Sequence, residues 1–293
     1  MLIESFLQYL QYEKNYSSHT VEGYRDDLFQ FKQFICGEET FNPKEVDALI
    51  IRRWIVFLME KGYSPLSVNR KLSSLKSFFK YLCRYNHIET SPVKKVVGPK
   101  TSKPLPHFIK EKEMDNLFSY MDGDNSFEGV RDRAILDVFY TTGIRCAELV
   151  GLKDEDIDFN AGLIKVTGKR NKQRLIPFSD KLKETILTYL SGRQEEVESV
   201  FDGCLFVRKN GKSLSNSIVY EIVKKRLAEI PNLSKRSPHV LRHTFATSML
   251  NSGADLNAVK ELLGHASLSS TEVYTHTTFE ELKKTYHQAH PRA

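Results

Sequence analysis

Cysteine is scarce, and what there is does not pair. Cys36, Cys83, Cys146 and Cys204 lie far apart with no Cys-x-x-Cys among them, so a disulfide scaffold and a zinc ribbon are both poor fits and reduced thiols are expected. No run approaches the roughly 18 consecutive apolar residues of a membrane span. The opening Met1-Leu2-Ile3-Glu4 has no basic stretch leading into an apolar one; no secretory signal is expected, and a cytoplasmic location is. No Gly-x-Gly-x-x-Gly follows a candidate strand. Gly211-Lys212-Ser213 matches the tail of a nucleotide-binding loop, but Phe206 occupies the position where that loop needs its first glycine, leaving a plain turn. His239 and His243 have the i, i+4 spacing of helical zinc ligands. Val240 stands where a zinc protease has its glutamate, and no third ligand is evident, so no metal is expected. Internal repeats and low-complexity tracts are also missing.

What is present is a 293-residue chain, 40% hydrophobic and 27% charged, long enough for two domains with separate cores. The net charge of +6 is unevenly spread: residues 1–107 carry 16 Lys and Arg against 11 Asp and Glu, the remainder 27 against 26. An excess in the first third suits a segment that embraces a polyanion. That segment reads as helices. Leu2, Ile3, Phe6, Leu7 and Leu10 form a short stripe, and Val21, Tyr24, Leu28, Phe31 and Ile35 a longer one, with Ser17, Ser18 or Thr20 available as its cap. A third helix is predicted from about Pro43 to a stop near Gly62, with Val46, Ile50, Trp54, Phe57 and Leu58 as its apolar positions. The fourth begins near Ser67 and puts Val68, Leu72, Leu75, Phe79 and Leu82 on one face. On another face Lys76, Lys80 and Arg84 recur every four residues, either as a solvated surface or as a stripe that tracks phosphates.

Residues 91–108 look like a linker: Pro92, Pro99, Pro104 and Pro106 break regular structure, Lys94, Lys95, Lys100 and Lys103 add charge, and no acidic residue lies between Glu89 and Glu111. This gives a helical domain over 1–90 and a second domain over 109–293. The second is again mainly helical, with helices predicted over 111–122, 127–141, 179–192, 215–229, 239–252, 255–263 and 279–288. Leu163–Val166 and Arg174–Pro177 read as two strands around the polar turn Gly168–Lys172, with a third near Asp156–Phe159 and a short extended piece at Leu205–Val207. The expected fold is mainly α with one small antiparallel β-sheet.

Several polar residues stand at element ends. Thr141-Thr142-Gly143-Ile144-Arg145 places an arginine where a helix starts. In Ser237-Pro238-His239-Val240-Leu241-Arg242-His243, Ser237 is a candidate cap, Pro238 suits the first helical position, and His239 and Arg242 share a face at i, i+3. Leu262-Leu263-Gly264-His265 ends a helix on glycine, and Tyr274 follows nine residues later. Taken singly each is unremarked surface or packing chemistry.

In this order and spacing they resemble the tyrosine recombinase (phage integrase-like) family, whose signature is Arg, Lys on a β-turn, His-x-x-Arg, His or Trp, then Tyr. Arg145, Lys169, His239 with Arg242, His265 and Tyr274 fill those slots. The likeness covers nearly the whole chain, and the compact length and closing His290-Pro291-Arg292-Ala293 look like the Xer branch, which resolves chromosome dimers in bacteria. The family pattern puts the lysine directly after the turn glycine, which is Lys169; Lys172 is then a phosphate contact.

The resemblance implies cleavage and rejoining of duplex DNA through a 3′-phosphotyrosine on Tyr274, without ATP, metal or other cofactor. Two guanidinium groups, Arg145 and Arg242, suit the charge that builds on phosphate oxygens. A tyrosine hydroxyl with a pKa of about 10 needs its proton drawn off, for which His239 is the candidate, with His265 bonding the phosphate. A departing 5′-alkoxide needs a proton, for which Lys169 is the candidate. Glu148, one turn from Arg145, either orients that arginine or is an exposed helix residue. Further implications are a C-shaped clamp on DNA, a homo- or heterotetramer with a sister recombinase on two sites, and activation by a DNA translocase. The C-terminal helix, about Phe279 to Gln288, is either donated to a neighbour or packed within its own chain. Integration of a phage or mobile element, and DNA relaxation like that of a type IB topoisomerase, share the chemistry and stay open as alternatives.

Overall fold

The computed structural model describes residues 2–37, 41–101, 108–168, 171–264 and 284–292. The chain divides into two compact units, Met1–Pro104 and Leu105–Ala293, each with its own apolar core.

The first unit holds α1 (Leu2–Gln8), which runs into a π-helical turn at Tyr9–Glu13, then α2 (Ser18–Cys36), α3 (Ala48–Glu60) and α4 (Pro65–Arg84). The predicted stripes face inward: Phe6, Leu28, Phe31, Trp54, Leu72, Leu75, Phe79 and Leu82 are all buried. The third helix starts later than its proline suggested. Pro43 opens a separate 3-10 turn, Pro43–Glu45, and α3 begins behind Asp47, whose carboxylate accepts from the Ile50 backbone N–H at 2.7 Å; a capping carboxylate fixes the start better than a proline can. Buried Asp27 on α2 ties that helix to α4, accepting from both Arg70 terminal nitrogens at 2.7 Å, Lys71 Nζ at 2.9 Å and Ser74 Oγ at 2.7 Å. The expected linker is in part structure of this unit. Pro92–Lys95 form a 3-10 turn, Val93 and Val96 enter the core, and Asn69 Nδ2 donates to the Pro99 carbonyl at 2.8 Å. Two valines in an otherwise basic, proline-rich stretch are enough to seat it.

The second unit is built around α6 (Phe127–Thr142), buried along nearly its whole length. Preceding it is α5 (Glu111–Met121); following it are α7 (Cys146–Val150), α8 (Asp180–Glu196), α9 (Asn216–Arg226), α10 (Pro238–Asn251) and α11 (Leu256–Leu263). Both α8 and α10 pack on α6, and α11 packs on α10. Between α7 and α8 lies an antiparallel sheet in the order β1 (Ile157–Asp158), β2 (Leu163–Thr167), β3 (Gln173–Pro177), with Ile164 opposite Ile176 and Val166 opposite Arg174. The Gly168 N–H donates to the Lys172 carbonyl at 2.8 Å and closes the β2–β3 turn. The extended piece at Leu205–Val207 forms one isolated bridge, Val207 to Ser213, next to a second from Lys153 to Cys204. Ser237 precedes α10 without a side-chain capping bond.

Residues 284–289 are helical; the expected start of that helix near Phe279 lies outside the described residues. Tyr286, Ala289, His290 and Arg292 are buried in this same unit. Arg292 stacks over Phe118 with its guanidinium carbon 4.0 Å from the ring centre and lies 3.3 Å from the buried carboxylate of Asp137. Both nitrogens of His290 are committed: Nδ1 accepts from the Arg292 backbone N–H at 3.1 Å, and Nε2 lies 3.2 Å from the Tyr140 carbonyl, to which it must donate. The ring is therefore neutral, and burial holds its pKa down at about 4. In the unfolded chain it titrates near 6.5. Its contribution is thus present above about pH 6.5 and is lost as pH falls toward about 4, amounting to roughly 3 kcal/mol. Thermal melts should show a larger drop in Tm between pH 7.5 and 4.5 for the wild type than for His290→Gln; parallel pH profiles would refute this assignment.

Candidate active site

Gly143 ends α6 in the left-handed conformation, at φ 60°. A Cβ there would lie 2.5 Å from Phe245 Cδ1 and 2.9 Å from Leu263 Cδ2, so only glycine lets α6 turn this close to α10 and α11. Two residues on, Arg145 is the N-cap of α7 and half-buried. Its backbone N–H donates to Glu148 Oε2 at 2.8 Å, one half of a capping box. Its Nη1 donates to Glu148 Oε1 at 2.8 Å and its Nη2 to the Gly264 carbonyl at 3.1 Å.

Glu148 is not a surface residue; it is buried, and the orienting reading is the one its contacts match. Burial by itself pushes its pKa up, but bonds from Arg174 and Arg145 outweigh this and bring it to about 2. The Arg174 contribution is a two-pronged fork from β3, with Nη1 to Oε1 at 3.0 Å and Nη2 to Oε2 at 2.9 Å.

Arg242 sits one turn into α10, half-buried, with Nη1 donating to the Gly143 carbonyl at 2.6 Å and Nη2 to the Leu263 carbonyl at 2.7 Å. Burial, with Arg145 and Arg174 nearby, lowers its pKa to about 10, against the pull of Glu148; it remains charged at neutral pH. His239 is exposed in the first turn of α10, three residues before Arg242. Lys172 is exposed at the end of the β2–β3 turn. Thus Arg145 and Arg242 come together at the C-terminal end of α11, with His239 one turn before Arg242 on α10. Lys169, His265 and Tyr274 lie outside the described residues.

Two guanidinium groups held by carbonyl oxygens, and one carboxylate already neutralised, leave a centre with surplus positive charge. Such a centre binds and stabilises an oxyanion, and a phosphate suits its planar donors.

The phage integrase family profile matches residues 107–281, and the N-terminal SAM-like domain of phage integrases matches residues 3–86. The curated protein "Tyrosine recombinase XerC" of Listeria innocua is 41% identical over 295 residues, covering 100% of this chain and 98% of its own length. The chain belongs to the phage integrase family. Among solved structures, XerA recombinase is 28% identical with a TM-score of 0.51, covering 100% of this chain and 99% of its own. The XerH site-specific recombinase bound to its difH substrate before cleavage is 24% identical with a TM-score of 0.70, covering 95% of this chain and 82% of its own, and is similar in fold.

Within this integrase framework, one residue of the cluster escaped the sequence reading. Arg174 was legible only as part of a strand. The alternation of β3 held a clue, since Arg174 and Ile176 share the buried face while Gln173 and Leu175 point outward: a charged residue in phase with a core isoleucine requires a partner.

Proposed function

We propose that the chain is a site-specific recombinase that breaks and rejoins duplex DNA by two transesterifications. The Tyr274 hydroxyl attacks a backbone phosphorus, forming a tyrosyl–phosphate bond to the DNA 3′ end and breaking the bond to the 5′ oxygen. His239 helps to take the phenolic proton, Lys169 gives one to the departing 5′ oxygen, His265 hydrogen-bonds the phosphate, and Lys172 contacts the backbone nearby. Arg145 and Arg242 hold the charge that develops on the nonbridging oxygens. Attack on the phosphotyrosine by the 5′-hydroxyl of a second duplex reverses the first step and exchanges strands. The bond energy is stored in the intermediate, so neither ATP nor a metal cofactor enters. Both units contact DNA, and four protomers, identical or shared with a sister recombinase, work on two sites. Resolution of chromosome dimers before division, prompted by a DNA translocase, is the role that the likeness to XerC proteins favours.

The observation that carries this reading is the pair Arg145 and Arg242, which donate to the neighbouring carbonyls of Gly264 and Leu263 at the end of α11. Incubation with a DNA site nicked beside the scissile phosphate tests it, because loss of the short 5′ fragment traps the covalent complex. The wild-type chain should form that complex with EDTA present, and Tyr274→Phe should bind the same DNA without forming it. Equal trapping by Tyr274→Phe would remove the nucleophile assignment. A DNA-binding protein without the chemistry would trap nothing.

A further inference from the structure

Arg174 occupies a position that the sheet alone would fill with an apolar side chain. It lies on the buried face of β3 opposite Val166, in phase with Ile176, and is only 7% exposed. Placing a guanidinium there carries a desolvation cost that a leucine or methionine avoids. The cost is offset by three directional bonds, two to Glu148 and one from Nε to the Leu262 carbonyl at 2.7 Å.

Those bonds complete a pattern. The last three carbonyls of α11 and its cap are each held by a different guanidinium: Leu262 by Arg174, Leu263 by Arg242 and Gly264 by Arg145. Glu148 is shared between Arg174 and Arg145, so Arg174, Glu148, Arg145 and the end of α11 form a closed ring. The carboxyl end of a helix carries partial negative charge, which suits three cations. Gly264 is part of the same fit: it adopts φ 66°, and a Cβ there would stand 3.1 Å from Arg174 Nη1 and 3.2 Å from Cζ. The turn that leaves α11 is thus laid directly on the Arg174 guanidinium.

We infer that Arg174 is a positioning residue for strand cleavage: it holds the Glu148 carboxylate and the last turn of α11 in one register, so that Arg145 and Arg242 address a single phosphate. It touches no reacting atom in this scheme and acts through Glu148 and through α11, the helix after which the sequence runs on to His265 and Tyr274. The inference rests on the proposed transesterification.

The test is single-turnover cleavage of the nicked site by full-length wild type, Arg174→Met, Arg174→Lys, Arg145→Lys and the double variant Arg145→Lys/Arg174→Met, with DNA affinity and Tm measured on each. Loss of an outer-shell partner of this kind costs roughly 10–100-fold in activity. Arg174→Met should therefore slow cleavage of bound DNA about 30-fold while affinity stays within about twofold. Arg174→Lys keeps the charge but not the fork, and should recover less than about a third of that loss. In the Arg145→Lys background, where the guanidinium it aligns is already gone, Arg174→Met should cost less than about threefold more.

A purely structural role would instead multiply the two losses and track the fall in Tm, and either result would overturn the inference. So would equal losses in cleavage and affinity. If Arg174→Met does not fold, Arg174→Lys carries the same comparison with Arg145→Lys. Absence of any covalent complex from the wild type would condemn the proposed reaction itself, an outcome distinct from a wild type that cleaves and an Arg174 variant that cleaves equally well.

Discussion

Alanine at Arg145 or at Arg242 is expected to lower the rate of covalent complex formation about a thousandfold or more while DNA affinity stays near that of the wild type. Removal of a guanidinium that faces transition-state charge costs on the order of 10³ in rate, equivalent to about 4 kcal/mol of barrier. Affinity is spread over many phosphates and loses at most one contact. The two variants should differ in a second property. Arg145 has 39% of its side chain exposed and shares Glu148 with Arg174, so Arg145→Ala leaves that carboxylate with a partner. Arg242 bonds the carbonyls of Gly143 and Leu263, one on each side of the α6–α10–α11 junction. Arg242→Ala strips both carbonyls of that donor, at roughly 1–3 kcal/mol for each polar group left unpaired, and should show the larger fall in Tm. Lysine at either position keeps the charge but loses the two-pronged geometry, and should recover only part of the rate. Single-turnover trapping on the nicked site, with gel-shift affinity and thermal melts on the same preparations, checks all three statements. An alanine variant that cleaves within about tenfold of the wild type would show that its guanidinium does not face the phosphate.

The contrast between Arg145 and Arg174 shows where sequence reading stops. Arg145 is legible because it stands at a helix start after a glycine and, together with His239-x-x-Arg242, fills a slot in the ordered signature of the family that the sequence resembles. Arg174 lies within a five-residue strand, and nothing local says which face of that strand is buried until β2, α7 and α11 are in place around it. Glu148 had two readings for the same reason: a glutamate at the third position of a helix serves as a cap at the surface or as a buried counter-ion, and the choice is made by an arginine 26 positions away. Helices with a clean apolar stripe are legible, but their starts are less so: α3 begins at its cap, Asp47, and not at the proline that suggested an earlier start. The C-terminal residues were the least legible. His290 and Arg292 look like polar tail residues, yet each is buried by partners about 110 to 170 residues earlier in the chain, among them Tyr140, Ser179, Phe118 and Asp137. A pattern of period 3.6 or 2 carries no information about contacts at that separation.

Replacement of Lys76, Lys80 and Arg84 by glutamine should produce the opposite signature to the arginine variants: weaker binding to every DNA sequence, a flatter salt dependence, and near-normal cleavage once DNA is bound. The structure separates these cations from their neighbours on α4. Arg70 and Lys71 are committed to Asp27, their charge drawn inward to lock α2 on α4. Lys76, Lys80 and Arg84 are exposed on a face away from Leu72, Leu75, Phe79 and Leu82. Among the described residues no carboxylate forms an ion pair with any of the three; Arg84 Nη1 donates instead to the Tyr9 hydroxyl at 3.2 Å, a bond that keeps its charge available. Each phosphate neutralised contributes about 0.9 to the slope of log K against log salt on duplex DNA, so loss of three contacts should reduce that slope by about 2.7. Glutamine at Arg70 is the internal control, since its charge is already spent: it should lower Tm through Asp27 and leave the slope nearly unchanged. An unaltered slope in the triple variant would mean that the stripe is solvated surface and that the phosphate contacts of the first unit lie on another face. A slope reduced by only about one would assign the contact to a single member, and the three single substitutions would then show whether it is Arg84, the one cation of the stripe whose geometry is fixed by a neighbouring side chain.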